Sequence, residues 1–315
     1  MTAGTGRTPK VAAIAALVLV AMLLIAAAVA IAPHRLPAGE LASPHRPDLA
    51  NGRTIFLAGN CAGCHATPGQ PDPLRLGGGR ALSSPFGVFV VPNISPDRRA
   101  GIGQWTEADF VNAMKRGVDR DGRHLYPAFP YPAYARLRTE DVRDLFAYLR
   151  TLPASASQPP GHRLHFPYSI RPAVGVWKLL AFRPETFSPD PARDAAWNRG
   201  AYLVEAAAHC AECHTPRDRL GRMDRARRYA GAPNLEAGGR FAPNITPHPD
   251  GLADWSAADI ADFLKTGTDK CFNEPSGMAS VLASTRQLSA ADNDAMARYL
   301  ATLPPRAGNG RHKTC

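Results

Sequence analysis

Cys61-Ala62-Gly63-Cys64-His65 and, about 150 residues later, Cys210-Ala211-Glu212-Cys213-His214 decide how this chain is read. Two thiols one helical turn apart can each close a thioether bond to a haem vinyl group, and the next residue turns an imidazole onto the iron. That is the c-type haem attachment pattern. A zinc pair or a thioredoxin-like redox pair also uses closely spaced cysteines, but neither needs a histidine directly after the second one. Two copies point to two covalently bound haem c groups, with Cys61, Cys64, Cys210 and Cys213 as attachment points and His65 and His214 as proximal iron ligands.

The length of 315 residues suits two domains, in agreement with two motifs. Haem consumes four of the six cysteines, leaving Cys271 and Cys315. In an exported protein that even remainder suggests one disulfide, and two unpaired thiols are the alternative. The net charge of +10 and a pI near 9.6 precede the contribution of four haem propionates. A basic excess can steer an acidic partner or an anionic membrane surface. Nucleic acid is excluded as a partner, because Arg and Lys are scattered through both halves without a recognised binding motif.

Residues 1–10 carry Arg7 and Lys10 and no acid, and 11–32 run without a charge, proline or glycine. That is long enough to span a bilayer and longer than the usual signal-peptide core. The expectation is a single-pass inner-membrane anchor with a cytoplasmic basic tail and periplasmic haem domains. Ala28-Val29-Ala30 has the small-residue pattern of a signal-peptidase site, so cleavage stays open, and either outcome exports the haem domains. A proline-studded connector, 33–47, is expected to lift the first domain off the membrane.

The parts of the first haem domain, 48–153, recur in the same order in the second, 191–305. Pro92-Asn93-Ile94-Ser95-Pro96 matches Pro243-Asn244-Ile245-Thr246-Pro247. Thr106 and Ser256 are hydroxyl N-caps of helices expected to end at Gly117 and Gly267. Leu145, Tyr148, Leu149 and Leu152 form a stripe at helical spacing that reappears as Met296, Tyr299, Leu300 and Leu303. The fold class expected is all-α: two tandem haem domains after one transmembrane helix, each a few helices and long loops around a porphyrin that supplies much of its core. The linker, 154–190, holds Phe166, Trp177, Phe182 and Phe187, too many large apolar groups for a free tether, and is expected to pack across both domains. The tail, 306–315, is polar and loose unless Cys315 pins it.

The residue on the other face of each iron sets the chemistry. Met278 follows His214 by 64 residues, in a loop between two helices, and is the expected distal ligand of haem 2. The same step from His65 lands on Phe129, which cannot ligate iron. His124, five residues earlier in that loop, is the substitute ligand, with a solvent-facing or propionate-bonding role as its alternative. Met114 and Met296 fall on helices at core positions, Met223 in an Arg-rich loop, and His209 beside Cys210 as a packing or propionate partner.

With these residues in view the chain resembles the multihaem cytochrome c subunits of bacterial membrane-bound alcohol, sugar and gluconate dehydrogenases, and of nicotinate- or isoquinoline-type molybdenum hydroxylases. The resemblance rests on both haem motifs, the paired Pro-Asn-Ile turns with Trp105 and Trp255, and Gly122-Arg123-His124-Leu125-Tyr126-Pro127-Ala128-Phe129-Pro130-Tyr131. Cys213-His214-Thr215-Pro216-Arg217, the linker around Trp177, and Gly277-Met278-Ala279 complete it. It implies two tandem cytochrome c domains forming an electron-transfer subunit, not itself an enzyme. Such a subunit takes electrons from a membrane-bound or periplasmic dehydrogenase catalytic subunit and passes them to quinone, or to a terminal oxidase or cytochrome of the respiratory chain. Many members carry three haem domains, whereas this chain has two. Two other classes stay open: a haem enzyme of peroxidase or thiosulfate-oxidising type with an open distal face at haem 1, motivated by Phe129, and a redox or gas sensor, for which no signalling module follows haem 2.

Overall fold

The computed structural model describes residues 8–41, 43–234, 240–269 and 276–308. Helix α1, Thr8–Ile31, is one apolar run with its side chains exposed from Val11 to Ala30. By length and composition it can cross a membrane. The chain after it does not stand free as a spacer. Arg35 donates from Nη2 to the carbonyls of Asp119 (3.0 Å) and Arg120 (2.7 Å), the Leu36 amide donates to Asn112 Oδ1 (2.7 Å), and the Leu36 side chain is buried. The connector expected to lift the domain is instead keyed onto it.

Asp48 caps α2, Leu49–Ala58, by accepting from the amides of Ala50 and Asn51. Asn60, in the left-handed region, turns the chain into α3, Cys61–His65. A capping box between Thr106 and Asp109 opens α4, Glu107–Arg116, and left-handed Gly117 closes it. Short α5, Tyr131–Tyr134, leads to α6, Thr139–Leu149, and the linker contributes α7, Ala173–Ala181. The second half repeats the plan. In it α8, Ala195–Tyr202, continues as a π-helical turn, Leu203–Ala207, into α9, Ala211–His214. Ser256 and Asp259 box the start of α10, Ala257–Thr266, which left-handed Gly267 ends. Then come α11, Ala279–Thr285, and α12, Ala290–Ala301.

In each half the first helix crosses the last at a glycine. A Cβ on Gly52 would stand 2.2 Å from the Asp144 carbonyl oxygen of α6, and one on Gly200 1.9 Å from that of Ala295 in α12. These contacts bring the helix backbones together and leave the apolar stripes read from the sequence facing inward, with Leu145, Leu149, Met296 and Leu300 all buried.

The all-α expectation needs one correction, because the described residues include two small antiparallel sheets. Strands β1, Ala81–Ser84, and β2, Gly87–Val90, form a hairpin with Ala81 opposite Val90, and the linker adds β3, Arg163–Leu164, with Leu164 opposite Gly87. In the second half β4, Ala232–Asn234, pairs with β5, Arg240–Ala242. The β-branched and aromatic run Val88-Phe89-Val90 after the turn at Pro85-Phe86 carries that signal.

One buried cluster runs through both halves, from Leu36, Phe56, Phe110 and Leu149 to Tyr202, Leu203, Met296 and Leu300. The linker packs against both halves, through Phe187 at the edge of this cluster and through a smaller cluster around Tyr131 and Phe182. Phe187 pairs with Tyr202 (ring centroids 5.5 Å), Phe182 with Tyr131 (5.1 Å), and Trp177 donates to the Leu220 carbonyl (2.9 Å). Phe166 departs from that packing and is 80% exposed.

Candidate functional site

The Cys-x-x-Cys-His segments are short helices that put two thiols and an imidazole along one side of a single turn. His65 Nδ1 lies 2.9 Å from the Pro92 carbonyl oxygen, and His214 Nδ1 lies 2.7 Å from that of Pro243. A carbonyl only accepts, so Nδ1 carries the proton in both rings and Nε2 keeps its lone pair. Desolvation, opposed by the Pro92 hydrogen bond, pulls the His65 pKa down to about 4, leaving a neutral ring at physiological pH. A neutral imidazole whose Nδ1–H is held by a backbone carbonyl is a prepared metal ligand. The four motif cysteines are half-buried and form no disulfide. Desolvation, reinforced by Cys64, pushes the Cys61 thiol up to about 12. This donor set fits covalently bound haem in both halves.

In the sequence the Pro-Asn-Ile turns are only a matched pair. In the fold they hold the imidazoles, and the asparagines hold the turns. Asn93 accepts from the Ser95 amide (2.8 Å) and donates to the Ser155 (2.7 Å) and Ser157 (2.9 Å) carbonyls; Asn244 accepts from the Thr246 amide (2.9 Å) and donates to the Arg306 carbonyl (2.7 Å). The chain leaving the last helix of each half is thereby tied to the turn that orients the ligand. The backbone adds one more clasp, Gly78 N to His65 O (2.8 Å) and Gly231 N to His214 O (2.9 Å). The near-verbatim repeat of Pro-Asn-Ile was the signal available for all of this.

The second half also carries a half-buried carboxylate with no counterpart at the matching position of the first half, which holds Phe56. Glu205 accepts from Arg228, from Tyr229 (2.8 Å) and from Tyr299 (2.6 Å). Burial alone would raise this carboxyl, but Arg228, Tyr299 and Tyr229 hold it below the ordinary value. Tyr148, the first-half counterpart of Tyr299, packs instead on Phe56 (5.3 Å). The Glu205 charge reaches Cys210, whose thiol is pushed up to about 12 chiefly by desolvation and further by that carboxylate.

Met278 is half-buried at the start of α11. Met114 and Met296 are buried in the core, and Met223 is half-buried with its sulfur 3.9 Å from Arg228 Nη1. His124 is buried at the end of α1, where Nε2 donates to the Ile31 carbonyl (2.8 Å), and Arg171 donates to its backbone oxygen (2.7 Å). Phe129 turns the other way: its ring is 5.6 Å from that of Tyr134, whose hydroxyl donates to the Gly59 carbonyl (3.4 Å), two residues before Cys61. The structure thus brings Phe129 towards the first motif and His124 towards the apolar helix. Cys271 and Cys315 lie outside the described residues.

Comparison with known proteins agrees with this geometry. Residues 49–153 match the cytochrome c family. A dihaem c-type cytochrome of Cereibacter sphaeroides is 46% identical over 261 residues, covering 82% of this chain and 86% of that protein. The chain belongs to the dihaem c-type cytochromes. It is also 41% identical over 276 residues to the fructose dehydrogenase cytochrome subunit of Gluconobacter japonicus, covering 86% of this chain and 55% of the relative. With one of the nicotinate dehydrogenase subunits of Pseudomonas putida it shares 36% identity over 260 residues, 81% of this chain and 21% of that protein. The cytochrome therefore spans about half of the length of the fructose dehydrogenase relative and about a fifth of that of the nicotinate dehydrogenase relative. Membership implies covalent haem c.

Within the cytochrome the residues that precede the two motifs reach into the opposite half. Asn60 and His209 each directly precede a first haem-motif cysteine, and both are left-handed, at φ 47° and 42°. Asn60 donates to Ser280 Oγ (3.2 Å) and accepts from Ser284 Oγ (2.9 Å), both on α11 behind Met278. His209 Nε2 lies 3.3 Å from the Gly59 carbonyl, and its ring meets Tyr134 edge to face at 5.4 Å. Each half thus reaches across from the residue beside its own attachment point.

Proposed function

We propose that this cytochrome is the membrane-held electron-transfer subunit of a periplasmic dehydrogenase. It would take electrons from a catalytic partner at the first domain and deliver them from the second to quinone or to a respiratory oxidase or cytochrome. When bound, each haem supplies one iron that cycles between ferric and ferrous. Cys61, Cys64, Cys210 and Cys213 hold the porphyrins, His65 and His214 the proximal iron positions, and Met278 the distal position in the second domain. A thioether on that side raises the potential, making the second domain the stronger acceptor. The observation that carries the reading is the pair of Nδ1-anchored histidines on two motifs joined through Asn60 and His209. The relatives named for fructose and nicotinate dehydrogenases support the kind of partner. Retention of α1 as an inner-membrane anchor is supported by the contacts of Ile31, Arg35 and Leu36 with the first domain.

The test is twofold. Haem analysis gives two haems per chain, falling to one when either cysteine pair is replaced by alanine. Membranes from cells deleted for the chain lose oxygen uptake on at least one of a panel of alcohols, sugars, gluconate and nicotinate, and the native chain restores it. Undiminished respiration on the whole panel defeats the proposal.

A second reading, a haem enzyme of peroxidase or thiosulfate-oxidising type in the first domain, is favoured by the position of Phe129 and by the engagement of His124 with Ile31. It requires carbon monoxide binding at the first haem, no spectral change in His124→Ala, and turnover with peroxide or thiosulfate. A first haem that refuses carbon monoxide in the parent and accepts it in His124→Ala returns His124 to the iron and removes this reading.

A further inference from the structure

Ten large apolar side chains outside α1 stand exposed among the described residues, and six of them fall within 166–180: Phe166, Tyr168, Ile170, Val176, Leu179 and Leu180. Helix α7 is turned inside out for a water-facing element. Val174, Gly175 and Phe182 face inward, while Val176, Leu179 and Leu180, the last 56% exposed, face outward. An unpartnered apolar face of this kind needs a cover.

The position of α1 identifies that cover. The apolar run Val11–Ile31 has 21 residues, about 30 Å of helix and thus one hydrocarbon thickness. Ile31 therefore falls at the outer edge of the bilayer. There α7 touches it backbone to backbone, since a Cβ on Gly175 would stand 2.1 Å from the Ile31 carbonyl oxygen. The middle of α7 is fixed at the depth of the membrane–water boundary. Charge agrees: between 154 and 184 there is no acidic residue, while Arg163, Arg171, Lys178 and Arg183 are present. Lys178 is occupied on the inner side, donating to the Arg116 and Gly117 carbonyls (2.6 and 2.8 Å). Exposed Arg163 and Arg183 are left to meet lipid headgroups.

We propose that the linker, from β3 through α7, is a second membrane contact. It lies in the headgroup layer of an anionic bilayer with Val176, Leu179 and Leu180 inserted and Phe166 and Ile170 beside them. This rests on the anchored reading of α1. It gives the segment between the haem domains a task separate from joining them.

Nitroxide labels at Leu180→Cys, Val176→Cys and Phe166→Cys test the proposal, in the full-length holoprotein with Cys271 and Cys315 replaced by serine and haem content verified. The protein is reconstituted alone in phosphatidylethanolamine–phosphatidylglycerol vesicles, with labels at Leu19→Cys and Leu74→Cys as membrane and water references. Power saturation gives an oxygen-to-nickel-complex accessibility ratio several-fold higher at 176 and 180 than at 74, approaching that at 19. A water-like ratio at 176 and 180 with a membrane-like ratio at 19 overturns the proposal and leaves the anchor standing. Shielding from both reagents means that protein covers the face, and it also overturns the proposal. A water-like ratio at 19 removes the anchor and this contact together.

Discussion

At the scale of single residues, the two haem sites differ most where the repeat breaks. Counting 64 residues from His214 lands on Met278, the distal ligand proposed for the second haem, and the same count from His65 lands on a side chain that cannot bind metal. Met278→Ala is expected to lower the potential of the second haem by ~0.1–0.2 V, within the roughly 0.8 V that axial ligation spans, and to leave the first unchanged; potentiometric titration checks it. Glu205 was not legible, since its partners Arg228, Tyr229 and Tyr299 lie 23 to 94 residues away and meet only in the fold. Its carboxyl is held below the ordinary value of 4.5, so its stabilising contribution is complete above that pH and is lost as acid brings the pH down through the folded value. Replacing Glu205 with glutamine is expected to cost roughly 1–3 kcal/mol at pH 7, because Arg228, Tyr229 and Tyr299 lose a charged acceptor. The variant also flattens the acid limb of the stability curve, which thermal melts from pH 7 to pH 3 measure.

At the scale of elements, the helices were read well and the loops poorly, for one physical reason. Caps and apolar stripes are local, so Thr106, Ser256, Gly117 and Gly267 announce their helices within a few residues. A Pro-Asn-Ile turn acquires its purpose only from a histidine 27 to 29 residues earlier and a carbonyl about 60 residues later. Of the strands only β3 is hidden for a related reason, since it comes from the linker and pairs with a hairpin more than 70 residues before it, whereas β1–β2 and β4–β5 are local pairings. Helix crossings give a direct test. Gly52→Ala and Gly200→Ala each force a methyl group against a carbonyl oxygen, at 2.2 and 1.9 Å. Each is expected to destabilise the holoprotein by about 1–3 kcal/mol or more as the helices separate. Calorimetry reads the loss, and an unchanged melting temperature in either variant argues against backbone contact at that crossing.

At the scale of the whole molecule, the duplication was plain in the sequence, but the way its halves face one another was not. Asn60 and His209 occupy equivalent places, yet one bonds a helix and the other a backbone carbonyl and an aromatic edge, so no repeat alignment could pair them with their targets. Asn60→Ala removes both hydrogen bonds to α11. It is expected to slow electron exchange between the domains several-fold after flash photoreduction while both potentials stay put; a shifted potential with an unchanged rate would assign Asn60 an electronic role instead. The docking of Arg35 and Leu36 onto the first domain has a consequence for traffic. A protein on a slack tether sweeps a hemisphere and finds its partners by wandering. This one, held within a few residues of its anchor, has almost no radius of search, so on the anchored reading its partners must diffuse laterally to it or be bound to it already.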